Sequence, residues 1–189
     1  MGDILILYGT SEGHTAKVAK HLAEIARHKG YSVALREVKA LSQDFNLEGY
    51  QAIVIGASVH AGKYQSEVKD FIKRNSTSIK HIPSAFFSVC LTAAQTGEQT
   101  KLQVSQYIKQ LLDDTNWQPL KIGSFSGALL YTQYGFFKRY LMRMMAKKNG
   151  GDIDTSRDYV YTDWNGVEQF MDEFLTSLDS VKVNLAVSS

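Results

Sequence analysis

Near the start of the chain, Thr10, Ser11, Glu12, Gly13, His14 and Thr15 bring three hydroxyls, a glycine and an imidazole into one short stretch. Residues 4–8 before it are apolar or aromatic, and a helical pattern begins directly after it. A strand–loop–helix of this composition is suited to hold a phosphate. The first N–H groups of a helix have no partner within it, and the helix dipole adds partial positive charge at the same end. The stretch carries no Lys or Arg, so it would grip an anion through neutral hydrogen bonds, with the Glu12 side chain turned to solvent. It lacks the Gly-Lys-Ser/Thr ending of an ATP or GTP loop and the spaced glycines of a dinucleotide loop. A nucleotide-like ligand of another kind is the expectation.

Two later stretches could complete such a site. Residues 51–57 form an apolar run, followed by Ser58, Val59, His60, Ala61 and Gly62. There Gly56 and Gly62 allow close backbone approach, and His60 and Tyr64 could face a flat ring. The run at residues 84–91 brings up Val89, Cys90, Leu91 and Thr92 as a second wall. Cys90 is the only cysteine, which excludes an internal disulfide or a cysteine-clustered metal site, and it reads as a small buried hydrophobe. His14, His21, His28 and His81 have no metal-binding spacing, so no metal is expected.

The elements that must position these residues alternate. Strands are expected at residues 3–8, 31–38, 51–57, 84–91 and 121–130. Helices are expected at 14–29, 65–75, 99–114 and 162–178. The first helix buries Val18, Leu22, Ile25 and Ala26 and stops at Gly30. The fourth-strand helix, 99–114, is expected to bury Leu102, Tyr107, Ile108, Leu111 and Leu112. Asp163 is placed as an N-cap for the last helix, and residues 181–189 as a flexible tail. Such βα alternation implies an α/β fold with a parallel sheet covered on both faces, in one domain over residues 1–180.

The 189 residues carry a net charge of +2, but Lys121, Lys138, Arg139, Arg143, Lys147 and Lys148 fall within residues 115–151, which hold no acid. The rest of the chain is therefore net −4. Residues 131–158 form an insertion far longer than an ordinary βα loop of about 4–6 residues. In it Phe137, Tyr140, Leu141, Met144 and Met145 recur at helical spacing opposite Lys138, Arg139, Arg143 and Lys147. A basic amphipathic helix suits an anionic membrane surface or an acidic ligand, or it covers the sheet edge. Tyr131 and Tyr134 could stack on a planar substrate or form a small core of the insertion. No nucleic-acid partner is expected. No leader of charged and then apolar residues stands at the N-terminus, which together with the single cysteine points to a cytoplasmic protein.

The Thr10–Thr15 motif resembles the phosphate loop of flavodoxin-like FMN proteins, and loops after strands one, three and four are where that fold holds its flavin. The likeness extends further, through Ile55-Gly56-Ala57-Ser58, Pro83-Ser84-Ala85-Phe86-Phe87-Ser88-Val89, Gly150-Gly151-Asp152 and Val160-Tyr161-Thr162-Asp163-Trp164. With these the chain resembles the menaquinone-dependent protoporphyrinogen IX dehydrogenase family. The resemblance implies a five-stranded parallel sheet of order 2-1-3-4-5 and FMN as cofactor. It also implies protoporphyrinogen IX as substrate, a membrane quinone as acceptor, and peripheral association with the inner face of the cell membrane. Unlike plain flavodoxins, the chain has no carboxylate between Leu91 and Glu98, which lessens the electrostatic penalty on an anionic reduced flavin and favours two-electron chemistry. Two alternatives are a soluble flavodoxin-like electron carrier and an NAD(P)H-dependent reductase.

Overall fold

The computed structural model describes residues 3–94, 98–133, 135–148 and 151–187. In chain order the elements are β1 (Asp3–Gly9), α1 (His14–His28), β2 (Ser32–Glu37), β3 (Tyr50–Ser58), α2 (Ser66–Arg74), α3 (Ser76–Lys80) and β4 (Ser84–Cys90). They continue as α4 (Glu98–Thr115), β5 (Lys121–Ser126), β6 (Ala128–Leu129), α5 (Phe136–Lys148), β7 (Tyr159–Val160) and α6 (Trp164–Val187). The first five strands form one sheet of order β2-β1-β3-β4-β5, parallel at every pairing. This is the expected order.

Side chains alternate across a strand, and the central strands are apolar throughout because both faces are covered. Ile4 and Ile6 of β1, Val54 of β3 and Phe87 of β4 pack beneath α1 and α6 with Val18, Leu22, Phe170 and Phe174. Leu5, Leu7, Ile53, Ile55 and Phe86 point the other way, under α2 and α4, with Val68, Phe71 and Leu111. The two edge strands, β2 and β5, keep half-exposed patterns. Helix α1 ends as expected at Gly30. Its φ of 88° lets its N–H reach the Arg27 carbonyl while that of Tyr31 reaches Ala26, a Schellman close.

Four expectations need correction. Leu102 is 62% exposed; α4 buries Val104, Leu111 and Thr115, and Leu102 lies outside that stripe. Gly56 offers no space to a ligand, because a Cβ there would stand 1.9 Å from Cζ of the Phe87 ring. The fifth strand does not run to residue 130. It ends at Ser126, and Gly127 then donates its N–H to the Cys90 carbonyl at 3.1 Å. A Cβ on Gly127 would lie 3.2 Å from the Leu91 nitrogen, so any side chain here would press the two backbones apart by a few tenths of an ångström. The following residues form β6, which pairs antiparallel with β7 in a separate ribbon. Finally, α6 continues past residue 178 to Val187.

Candidate functional site

The hydroxyl-rich loop sits where β1 hands over to α1, at the C-terminal end of the sheet. Thr10 Oγ1 accepts the N–H of Gly13 at 2.9 Å, folding the loop back on itself. Gly13, with φ 81°, is the N-cap and has no side chain to cap the helix. The first turn of α1 therefore presents N–H groups without an internal acceptor. Ser11 is exposed and Glu12 half-buried. Thr15 is only 1% exposed and His14 only 5%.

Both residues carry an orphan. Thr15 Oγ1 and His14 Nδ1 are buried without a hydrogen-bond partner, an arrangement that costs free energy unless something satisfies it. The other imidazole nitrogen of His14, Nε2, is bonded to Thr162 Oγ1 at 2.6 Å, at the head of α6. Burial, and secondarily the Lys17 charge, hold His14 below its usual pKa, so it is neutral at neutral pH.

The second stretch forms a tight turn. His60 and Lys63 exchange backbone hydrogen bonds, 2.8 Å from His60 N–H to the Lys63 carbonyl and 3.1 Å in return. Ala61 and Gly62, at φ 50° and 77°, take the two positive-φ positions. His60 and Ala61 are exposed, and Ser58, Val59 and Gly62 are half-buried. Tyr64 does not face the site as expected. It is buried in the lower core, its hydroxyl donating to Ser88 Oγ at 2.7 Å, and burial raises its pKa.

In the third stretch Val89 and Cys90 are buried side chains of β4, so only their backbone can border a ligand. The Val89 carbonyl is also taken, by the Val59 N–H at 2.9 Å. Leu91 packs half-buried against the small core of the insertion, and the Thr92 side chain lies outside the described ones.

Sequence reading missed Gln65. Its Nε2 donates to Ser58 Oγ at 2.6 Å and to Ser11 Oγ at 3.0 Å, while its Oε1 accepts the Ser58 N–H at 3.2 Å. One amide thus joins the first loop to the end of β3. The one accessible signal was its position at the N-terminus of a helix beside the second loop.

The insertion folds around its own small core of Ala128, Leu129, Leu130, Tyr131 and Ala146. Tyr131 is fully buried, its hydroxyl donating to the Asp152 carbonyl at 2.7 Å, which removes it from substrate or membrane contact. Arg139 also turns inward, Nε donating to the Tyr131 carbonyl at 2.9 Å. Helix α5 docks through Met142 and Ala146. Tyr140 and Met144, of the expected apolar face, are 59% and 54% exposed beside the exposed Arg143 and Lys147. The Lys138 side chain, like those of Phe137, Leu141 and Met145, lies outside the described ones, as does Tyr134. Among the described residues no helix is long and apolar enough to cross a membrane, and no acid–histidine cluster could hold a metal.

The buried, unpartnered hydroxyl of Thr15, beside uncapped helix N–H groups and the two neighbouring hydroxyls of Thr10 and Ser11, fits the phosphate end of a flavin nucleotide. Residues 5–156 match a family model described as a flavodoxin domain, which is a flavin-binding domain. The chain is 34% identical to the protoporphyrinogen IX dehydrogenase [quinone] of Escherichia coli K12, over 89% of this chain and 92% of that protein. It is 32% identical to the protein of the same name from Leishmania major, over 90% of this chain and 73% of that one. Among solved structures, a Streptococcus pneumoniae TIGR4 flavodoxin superposes with a TM-score of 0.55 at 13% identity, over 93% of this chain and 99% of that chain, a likeness of fold. The chain belongs to the flavodoxin-domain family, and within it to the quinone-dependent protoporphyrinogen IX dehydrogenases.

Proposed function

We propose that this protein binds FMN and oxidises protoporphyrinogen IX to protoporphyrin IX in repeated two-electron steps, passing the electrons to a membrane quinone such as menaquinone. The observation that carries this reading is the 34% and 32% identity, over 89% and 90% of the chain, to relatives with that named activity, joined to a buried Thr15 hydroxyl without a partner in the first turn of α1.

In this reading the hydroxyls of Thr10, Ser11 and Thr15 and the first N–H groups of α1, from His14 onward, hold the phosphate, while Gly13, its N–H bonded to Thr10 Oγ1, shapes the turn. Glu12 contributes backbone only, since a carboxylate beside a phosphate dianion is unfavourable. The turn of residues 58–62 and the backbone of residues 89–92 border the ring. Bound FMN supplies the acceptor for hydride equivalents. The chain's own contribution is position and, among the described residues of the three loops, a surrounding without fully buried charge.

Helix α5 is the contact for anions, either the propionates of the substrate or the headgroups of the membrane that carries the quinone. Arg143 and Lys147 supply charge, with Tyr140 and Met144 as apolar neighbours. This would place the protein in the cytoplasm against the inner face of the cell membrane. The test is an anaerobic assay of FMN-loaded protein with protoporphyrinogen. Porphyrin fluorescence that grows with added quinone supports the reading. No turnover with quinone, but rapid flavin reduction by NADPH, would move the protein to the reductases. Failure of both would leave an electron carrier.

A further inference from the structure

We propose that Gln65 is a positioning residue of the ligand site, whose carboxamide forces the hydroxyls of Ser11 and Ser58 to act as donors toward a bound flavin nucleotide. The inference rests on the FMN reading above and concerns how the loop is set for it.

The orientation of the amide is fixed by its partners. The backbone N–H of Ser58 can only donate, so the atom facing it must be Oε1. The nitrogen must then face Ser58 Oγ at 2.6 Å and Ser11 Oγ at 3.0 Å. Each serine oxygen thus receives a hydrogen from Gln65 and keeps its own hydrogen for another acceptor. A hydroxyl that accepts one hydrogen bond is a stronger donor in the next. In a loop without Lys or Arg, aligned hydroxyl donors are the means by which a phosphate oxygen can be held.

Two other features show that the position is built for this link. Gln65 is the N-cap residue of α2, yet its side chain makes no cap hydrogen bond to that helix; it reaches back over the sheet. The strand below makes room for it, because a Cβ on Gly9 would lie 3.2 Å from Gln65 Oε1 and 2.5 Å from Cγ2 of Val68. The link spans 54 residues of sequence between Ser11 and Gln65. It holds the phosphate end and the β3 end of the site in one register.

The test is a cycle of FMN affinities by fluorescence quenching. Gln65→Leu is measured in the wild-type background and in Ser11→Ala/Ser58→Ala, with thermal melts of each apoprotein. The expected result is about a tenfold loss of FMN affinity in the wild-type background and less than about a twofold loss where both hydroxyls are absent. A second variant, Gln65→Glu, keeps the size but accepts hydrogens where Gln65 donates. It should weaken FMN more than Gln65→Leu does and more than it weakens riboflavin, which lacks the phosphate. Equal losses in both backgrounds, or a Gln65→Glu protein that binds FMN as tightly as wild type, would overturn the proposal. If the wild type itself fails to quench FMN, the cofactor reading falls instead.

Discussion

The imidazole Nε2 of His14 lies 2.6 Å from the hydroxyl oxygen of Thr162, and that hydroxyl donates onward to the Ser126 carbonyl at 2.7 Å. Thr162 has one hydrogen and has given it to Ser126. The imidazole must therefore be the donor, carrying its proton on Nε2 and a lone pair on the buried Nδ1. This short chain of bonds ties the start of α1 to the end of β5 and the head of α6.

Its pH dependence has a definite sign. Burial lowers the His14 pKa below 6.5 in the folded state, so the unfolded chain takes up the proton first as pH falls. The stability gained from neutral His14 is whole above about pH 6.5 and is lost progressively below it, toward its depressed folded value. Urea titrations of the apoprotein between pH 7.5 and 5 should show the wild type losing stability faster than His14→Gln, whose amide can still donate to Thr162. Parallel pH profiles would contradict the assignment.

Thr15 separates folding from binding. Its Oγ1 is buried and unpartnered, so Thr15→Val removes a polar atom that folding leaves unsatisfied. The apoprotein should melt at the same temperature as wild type or higher. FMN affinity should fall about 10-fold or more, the worth of a hydrogen bond to a charged group, while riboflavin affinity stays nearly unchanged. Calorimetry and fluorescence quenching read the two quantities. A drop in both stability and riboflavin affinity would assign Thr15 to packing alone.

Gly56 and Phe87 make a test of the core. The ring occupies the space a side chain at residue 56 would need, with Cζ 1.9 Å from the Cβ position. Gly56→Ala should cost about 1–3 kcal/mol or somewhat more by chemical denaturation, the range of overpacked cores. Adding Phe87→Leu should recover part of the loss, since the two substitutions share one space.

That pair also shows where sequence reading fails. The parallel βα alternation was legible because β1, β3 and β4 are apolar on both faces and alternate with helical patterns, whereas the order of the strands came from the resemblance to a known family. A glycine at a strand end, however, looks the same whether a ligand or a phenylalanine fills the gap. Leu102 was misplaced because helical spacing defines a stripe but not its exact edge; the phase becomes clear only from Val104 and Leu111. The break at Gly127 was hidden within residues 121–130, where small and apolar residues with no charge after Lys121 read as one strand. Gln65 and the Tyr64–Ser88 bond are long-range polar links, and no periodicity announces them.

Helix α5 makes the last prediction. Arg143 and Lys147 are exposed, so Arg143→Glu/Lys147→Glu should leave the melting temperature within about 1–2 °C of wild type, as expected for surface changes. Sedimentation with vesicles containing anionic lipid should fall sharply in this variant, and neutral vesicles should retain neither protein. If the variant still sediments while porphyrinogen turnover collapses, the cations serve the substrate and not the membrane.

Leu129 and Tyr159 stand opposite each other across the β6–β7 ribbon, and the Tyr161 N–H returns to the Gly127 carbonyl at 3.2 Å. The chain therefore departs from the redox domain and rejoins it at nearly the same point, after an excursion with a hydrophobic centre of its own. Such an appendage can be lengthened, shortened or exchanged without rethreading any strand of the sheet. A common electron-transfer chassis can in this way acquire a new client surface while the chemistry at its summit stays untouched.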